Sequence, residues 1–229
     1  QKLFLPVENL NYVTKYSNEE DQNIQLDNLG SSHWQKRKAE AKKKIKDAAK
    51  KLISIAAKRF QSNSYKIDFN RMDYDKFSST FPYVETDDQL NAIDDVINDF
   101  KKNIPSDRLI VGDVAFGKTE VIIRAIFLAS KSNLQSIVFV PTTLLAKQHY
   151  ENFVKRFESF GIKVVQISRF VSNKDKIDIH KEIKEGSAHI IVGTHALLSD
   201  KISFNNLGLI IYDEEQKLGT AQKEKLKEL

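Results

Sequence analysis

The residues best suited to chemistry lie in one short run. Gly112-Asp113-Val114-Ala115-Phe116-Gly117-Lys118-Thr119 fits the spacing Gly-x-x-x-x-Gly-Lys-Thr of a phosphate-binding loop, and Glu120 follows it. Glycines let such a loop turn tightly, so that backbone N–H groups at the start of the next helix point at phosphate oxygens. In that setting the Lys118 ammonium neutralises the β- and γ-phosphates of a nucleotide and the Thr119 hydroxyl holds Mg²⁺. The apolar run Leu207-Gly-Leu-Ile-Ile-Tyr212 then delivers Asp213-Glu214 at its carboxyl end. There Asp213 would hold Mg²⁺ through water, opposite Thr119, and Glu214 would orient or deprotonate an attacking water. An Asp-Glu pair alone is an ordinary loop. It gains meaning downstream of a phosphate loop, with alternating strands and helices between. The implied reaction is hydrolysis of ATP or GTP.

Other segments offer contacts rather than chemistry. Thr86-Asp87-Asp88-Gln89 is a capping box, in which Thr86 and Gln89 satisfy each other's backbone N–H groups. Gln89 could also read an adenine edge while an upstream aromatic covers the base, and the two roles are not exclusive. Pro141-Thr142-Thr143 and Gly193-Thr194-His195 offer N–H groups and hydroxyls suited to a nucleic-acid phosphate, although each is also an ordinary cap. His149 and His195 have no Cys or His partners at ligand spacing, which argues against a transition-metal site; with no cysteine there is no disulfide.

These segments need a scaffold, and the hydrophobic pattern supplies one. Arg108-Leu-Ile-Val111 reads as a buried strand leading into the loop, and Thr119 to Ala129 as the helix after it. Ser136 to Pro141, Lys163 to Ser168, His189 to Gly193 and Leu207 to Tyr212 read as further strands. Helices from Thr86, from Thr142-Thr143 and over Lys174 to Lys184 are interleaved with them. That order predicts an α/β fold, a parallel sheet with helices on both faces and ligands at the carboxyl ends of its strands.

Upstream, a long helix starts at Ser31 or Ser32, with Trp34, Ala41, Ile45, Ala49, Leu52, Ile53, Ala56 and Phe60 on one face and many lysines on the other. The basic face could lie against nucleic acid or an acidic protein, or simply be solvated. Tyr65 to Ser79 reads as a connector. Leu3-Phe4-Leu5-Pro6-Val7 is a strand candidate, followed by a polar stretch closed by Gly30. Lys and Arg number 36 against 31 Asp and Glu, a net charge of +5 that admits an anionic partner without demanding one. No apolar run approaches about 18 residues, so no membrane contact is expected. The chain opens at Gln1 and its one methionine is Met72, which suggests a fragment or a processed product.

Taken in order, Phe81…Thr86…Gln89, Gly112 to Glu120, Pro141-Thr-Thr-Leu-Leu-Ala146, Ser168-Arg169-Phe170, Gly193-Thr194-His195 and Asp213-Glu214-Glu215 resemble the first motor lobe of superfamily 2 translocases. More narrowly, Phe116-Gly-Lys-Thr-Glu120 with Pro141-Thr-Thr-Leu-Leu-Ala146 resembles the bacterial transcription-repair coupling factors; the fork-regressing helicases typically carry serine in place of Phe116. Leu3 to Val7, and Leu29-Gly30…Trp34 with the basic helix, resemble the end of that family's RNA-polymerase-interacting domain and its connecting helix.

The resemblance implies a division into 1–29, the C-terminal remnant of a polymerase-interacting β domain; 30–70, a basic linker helix and connector; and 71–229, a RecA-like ATP-binding lobe. It implies a cytoplasmic enzyme that uses ATP and Mg²⁺ to translocate on double-stranded DNA, acts on stalled RNA polymerase and recruits nucleotide excision repair proteins. By the same carry-over Phe81 and Gln89 contact adenine, while Thr142, Thr143, Arg169, Thr194 and His195 contact the DNA backbone and give sequence-independent tracking.

The chain departs from the family's pattern in places. Ala115 stands where the family has glycine and Gln216 where it has histidine, and Lys217-Leu218-Gly219-Thr220 replaces Arg-Phe-Gly-Val. The second lobe of this motor class supplies arginine fingers worth about 10³–10⁵ in rate. Without it, this stretch alone is expected to bind ATP weakly, hydrolyse it slowly and not translocate. The rival expectations are a fork-regressing superfamily 2 helicase and a degenerate, non-hydrolysing DNA- or polymerase-binding module.

Overall fold

The computed structural model describes residues 4–13, 32–113, 116–169, 171–214, 217 and 219. Their contacts fall into two units, residues 1–59 and 60–229.

The helix expected from the lysine-rich pattern forms as α1 (Ser32–Gln61). Its apolar residues Trp34, Ile45, Leu52 and Ile53 are exposed. Val7–Tyr12 is a 3-10 helix, so the strand read over Leu3 to Val7 is corrected over its described part: Phe4 to Pro6 pair with no strand among the described residues. Pro6, at φ −60°, opens the turn instead, and its carbonyl accepts from Asn9 N at 2.9 Å. The rest of the expected β remnant, residues 1–3 and 14–29, lies outside the described residues.

The second unit is built on four strands, β1 (Gln135–Phe139), β2 (Val164–Ile167), β3 (Ile190–Gly193) and β4 (Leu207–Tyr212). All pair in parallel, in the order β2-β3-β1-β4. Successive residues of a strand point to opposite faces, and here both faces are apolar. Val138, Val140, Ile190 and Val192 pack toward α3 (Asp87–Phe100), α4 (Lys118–Lys131) and α5 (Thr143–Phe157), while Ile137, Phe139, Ile167 and Ile191 pack toward Ile183 of α6 (Asn173–Glu185). Burial on both faces is why these strands read as continuous apolar runs rather than as alternation. Parallel pairing also puts every carboxyl end on one edge of the sheet.

Two readings are revised. Arg108 to Val111 joins no strand among the described residues, and Leu109 and Val111 are 73% and 84% exposed. A strand exists through its ladder partners, and none among the described residues reaches this segment. Arg108 anchors it instead, to Asp99 at 2.5 Å and Asp95 at 2.7 Å on α3. The connector from Tyr65 contains a short helix, α2 (Arg71–Ser78), whose Asn70 side chain accepts from Met72 N and whose Tyr74 and Phe77 are buried. No helix among the described residues is long and apolar enough to cross a membrane.

Candidate nucleotide and nucleic-acid site

The capping box forms as read. Thr86 Oγ1 accepts from Gln89 N at 3.3 Å and Gln89 Oε1 accepts from Thr86 N at 2.9 Å. The Gln89 amide does more, since its Nε2 donates to Phe116 O of the phosphate loop at 3.0 Å. The start of α3 is therefore tied to the loop through one side chain. Gly117 begins α4 in the left-handed region at φ 71°, and a Cβ there would stand 2.2 Å from Gln89 Nε2. Backbone geometry and close approach both call for glycine. The Lys118 ammonium turns back on its own loop, donating to Gly112 O at 2.5 Å and Asp113 O at 2.6 Å. Phe116 is exposed, and Val114 and Ala115 lie outside the described residues.

Glu120, the residue after Thr119, is buried in α4. Its side chain is 3% exposed and carries two guanidiniums, Arg124 at 2.5 Å and Arg156 at 3.0 Å. Arg124 also bonds Ser78 and Glu85. Burial favours a neutral Glu85, but its own backbone N–H and Arg124 prevail and hold the carboxyl below its usual value. Arg156 bonds Thr80 and lies over the rings of Phe77 (4.8 Å) and Phe81 (5.8 Å), and Phe81 meets Tyr83 edge-on at 5.5 Å.

β4 carries the acidic pair, and Asp213 N donates to Phe139 O of β1 at 3.0 Å. Asp213 Oδ2 lies 2.8 Å from His149 Nε2 on the buried face of α5. That bond holds the carboxyl below the usual range against the opposing effect of burial, with the His149 charge, the Glu214 N–H and the Lys118 ammonium adding to it. Glu214 takes φ 57°, a left-handed conformation that a residue with a Cβ seldom adopts. It also pairs with Lys217. Gln216 lies outside the described residues.

No group of three or more His, Cys, Asp or Glu among the described residues could hold a metal on its own. A hydroxyl, one carboxylate and the oxygens of a bound phosphate are instead the donors that Mg²⁺ accepts. Thr119 and Asp213 fit that set.

The remaining candidates line the same sheet edge. Phe139 of β1 pairs with Gly193 and Tyr212, and Ile167 pairs with Gly193, so the residues that follow each strand come level. Thr142 caps α5, with its hydroxyl accepting from Leu145 N at 3.2 Å. Thr143 opens a cleft of about 320 Å³ shared with Lys147, Gln166 and Ser168. Arg169 is exposed, and Phe170 lies outside the described residues. Gly193 is set by space, because a Cβ would come 2.5 Å from Ile167 O. Thr194 is buried at 9% exposure, whereas His195 is exposed and stacks on Phe139 at 6.0 Å.

Glu85, Arg124 and Arg156, and the tie of His149 to Asp213, escape the sequence reading. His149 lies 64 residues from its partner, and a histidine on an apolar helix face carries no spacing signal. Arg124 follows Glu120 at i+4 and could have been found as a helix pair.

Loop, acidic strand end and parallel sheet together define a phosphate-loop motor lobe. The chain belongs to the DEAD/DEAH box helicase family, whose model matches residues 86–229. It is similar over its full length to the transcription-repair-coupling factors of Rickettsia conorii and Borreliella burgdorferi, each at 47% identity, and over 99% of its length to that of Escherichia coli, at 41%. The resemblance read from the motifs thus holds across the chain. The chain spans about a fifth of the length of these relatives. Among solved structures, RecG bound to a three-way DNA junction matches with a TM-score of 0.68 at 31% identity, over 72% of this chain and 23% of that one. The UvsW helicase of bacteriophage T4 shares the fold, with a TM-score of 0.52 at 19% identity over 72% of this chain and 57% of that one.

Proposed function

We propose that the protein is an ATP-driven translocase on double-stranded DNA, which acts on stalled RNA polymerase in the cytoplasm and couples transcription to nucleotide excision repair. In this reading Lys118 and the N–H groups that open α4 bind the β- and γ-phosphates, and Thr119 with Asp213 holds Mg²⁺, which would neutralise phosphate charge. Glu214 orients the attacking water. Phe81 and Gln89 receive the adenine. Gly112 to Gly117 form the cradle, and Glu120 acts from behind it through its arginines. Thr142, Thr143, Arg169, Thr194 and His195 face the DNA backbone; for Thr194, a buried residue, the backbone is the reachable part. Residues 1–29, 30–70 and 71–229 serve as polymerase-domain remnant, linker and motor lobe.

The observation that carries this reading is the meeting of the two halves of the site. α4, which opens with Lys118, packs on β4, which ends beside Asp213, and the Lys118 ammonium helps to hold the Asp213 carboxyl low although the two residues lie far apart in the chain. The names of the relatives supply the polymerase and repair part of the proposal.

Mg²⁺-dependent binding of a fluorescent ATP analogue, with Lys118→Ala as control, tests the site. Saturable binding lost in the variant is expected. In the natural full-length chain, ATP hydrolysis stimulated by double-stranded DNA is expected as well. Absence of both from folded protein would overturn the motor and leave a binding module.

A further inference from the structure

Two guanidiniums, Arg124 buried and Arg156 largely so, stand between the helix that follows the phosphate loop and the loop that leads to the capping box. The Arg124 and Arg156 side chains are 3% and 11% exposed, and both end on one oxygen, Oε1 of Glu120. From that shared anchor they reach different points of residues 78–85. Arg124 takes the two ends, Ser78 and Glu85. Arg156 takes the middle, bonding Thr80 and laying its plane over Phe81. Glu85 precedes Thr86, so the clamp stops one residue short of the Thr86–Gln89 box.

The charges balance, two guanidiniums against Glu120 and Glu85. Even so, a buried ion cluster contributes little net stability compared with apolar packing of the same volume. Its distinctive effect is geometric. Arginine's planar fork fixes direction at several acceptors at once, which a lysine cannot do. The clamp therefore makes one rigid body of the turn that follows Lys118 and Thr119 and the loop that carries Phe81.

We propose that Arg124 and Arg156 are positioning residues for base recognition, holding Phe81 and the Thr86–Gln89 box in register with the phosphate loop. The proposal rests on the nucleotide-site reading above. It assigns the clamp to the base end of the ligand and leaves the triphosphate end to Lys118 and Thr119.

The test is calorimetric titration of the natural full-length chain with ATP and with inorganic tripolyphosphate, both with Mg²⁺. The wild type, Arg156→Lys and Thr80→Val are compared. Arg156→Lys keeps the charge beside Glu120 and loses the fork, and Thr80→Val removes one acceptor at the protein surface. Arg156→Lys is expected to weaken ATP by about tenfold, the effect of one charge-assisted hydrogen bond, and to leave tripolyphosphate within about twofold. Thr80→Val is expected to shift ATP in the same direction by less, which decides the matter if circular dichroism shows Arg156→Lys to be misfolded. Equal weakening of both ligands, or no change in folded variants, overturns the positioning role alone. A wild type that binds neither ligand overturns the nucleotide-site reading and this inference with it.

Discussion

His149 Nε2 and Asp213 Oδ2 lie 2.8 Å apart, joining the buried face of α5 to the carboxyl end of β4. Because Asp213 is held below the ordinary carboxylate range, it is ionised at neutral pH and can only accept. His149 Nε2 is therefore the donor of that bond. The arrangement resembles the outer shell of a metal site, where a fixed donor sets the direction of a ligating carboxylate.

Replacing that donor should loosen the cation rather than the nucleotide. His149→Leu is expected to raise the Mg²⁺ concentration that half-saturates nucleotide binding by about 10-fold or more. Binding measured in EDTA should not change, and His149→Asn should recover part of the loss by restoring a donor. An unchanged Mg²⁺ titration in folded His149→Leu would show that Asp213 needs no such support.

The second prediction concerns the segment before the phosphate loop. Asp99 is 7% exposed on α3 and its carboxyl is held low, first by the hydrogen bond from Arg108 and then by Lys102. The folded state thus binds this proton less readily than the unfolded chain. The stability it contributes is complete above the unfolded carboxylate value, near pH 4, and is lost as the pH falls through the lower folded value. Asp99→Asn should cost about 1 to 2 kcal/mol at neutral pH, toward the low end because Arg108 and Lys102 are partly in water. The difference from wild type should shrink steadily below about pH 4. Thermal unfolding from pH 7 to pH 3 measures both. A difference that grows in acid would reverse the assignment.

Much of this architecture was legible because it repeats local rules. Thr86 and Gln89 carry a cap that depends only on residues three apart, and it forms with both bonds in place. Strands β1 to β4 were visible as apolar runs because both faces of the sheet are covered. Arg108 to Val111 carries the same apolar signal, yet a strand depends on what lies beside it, which no window of sequence contains. α2 was hidden for another reason. Its eight residues bury only Tyr74 and Phe77, too few to show a helical period. Arg156, the second partner of Glu120, and His149, the partner of Asp213, were invisible because they reach these carboxylates only after α5 docks on the sheet. Of the phosphate-loop residues, Glu120 carries a burial that its place in the motif does not announce, with its side chain closed in by Arg124 and Arg156.

Gln135 offers the sharpest test of how β4 is held. It is 2% exposed, and its amide makes four bonds. Nε2 donates to Ile183 O at 2.9 Å and Ala188 O at 2.8 Å, and Oε1 accepts from Asn205 N at 2.8 Å and Asn206 N at 3.2 Å. One side chain therefore joins the end of α6 and the turn after it to the residues that lead into β4. Gln135→Leu keeps the volume and removes every bond. Ile183 O keeps Gly186 N as a donor, so the cost falls on the other three groups. At about 1 kcal/mol or more for each orphaned group, the variant should lose about 3 to 5 kcal/mol in urea unfolding with little change in slope. Nucleotide affinity of the folded fraction should stay near that of the wild type, because Asp213 lies at the far end of β4 and is held there by Phe139 O and His149. A loss below about 1 kcal/mol would mean that water reaches the Asn205 and Asn206 N–H groups once the amide is gone. A large fall in affinity would instead mean that the register of β4 is set from its amino end.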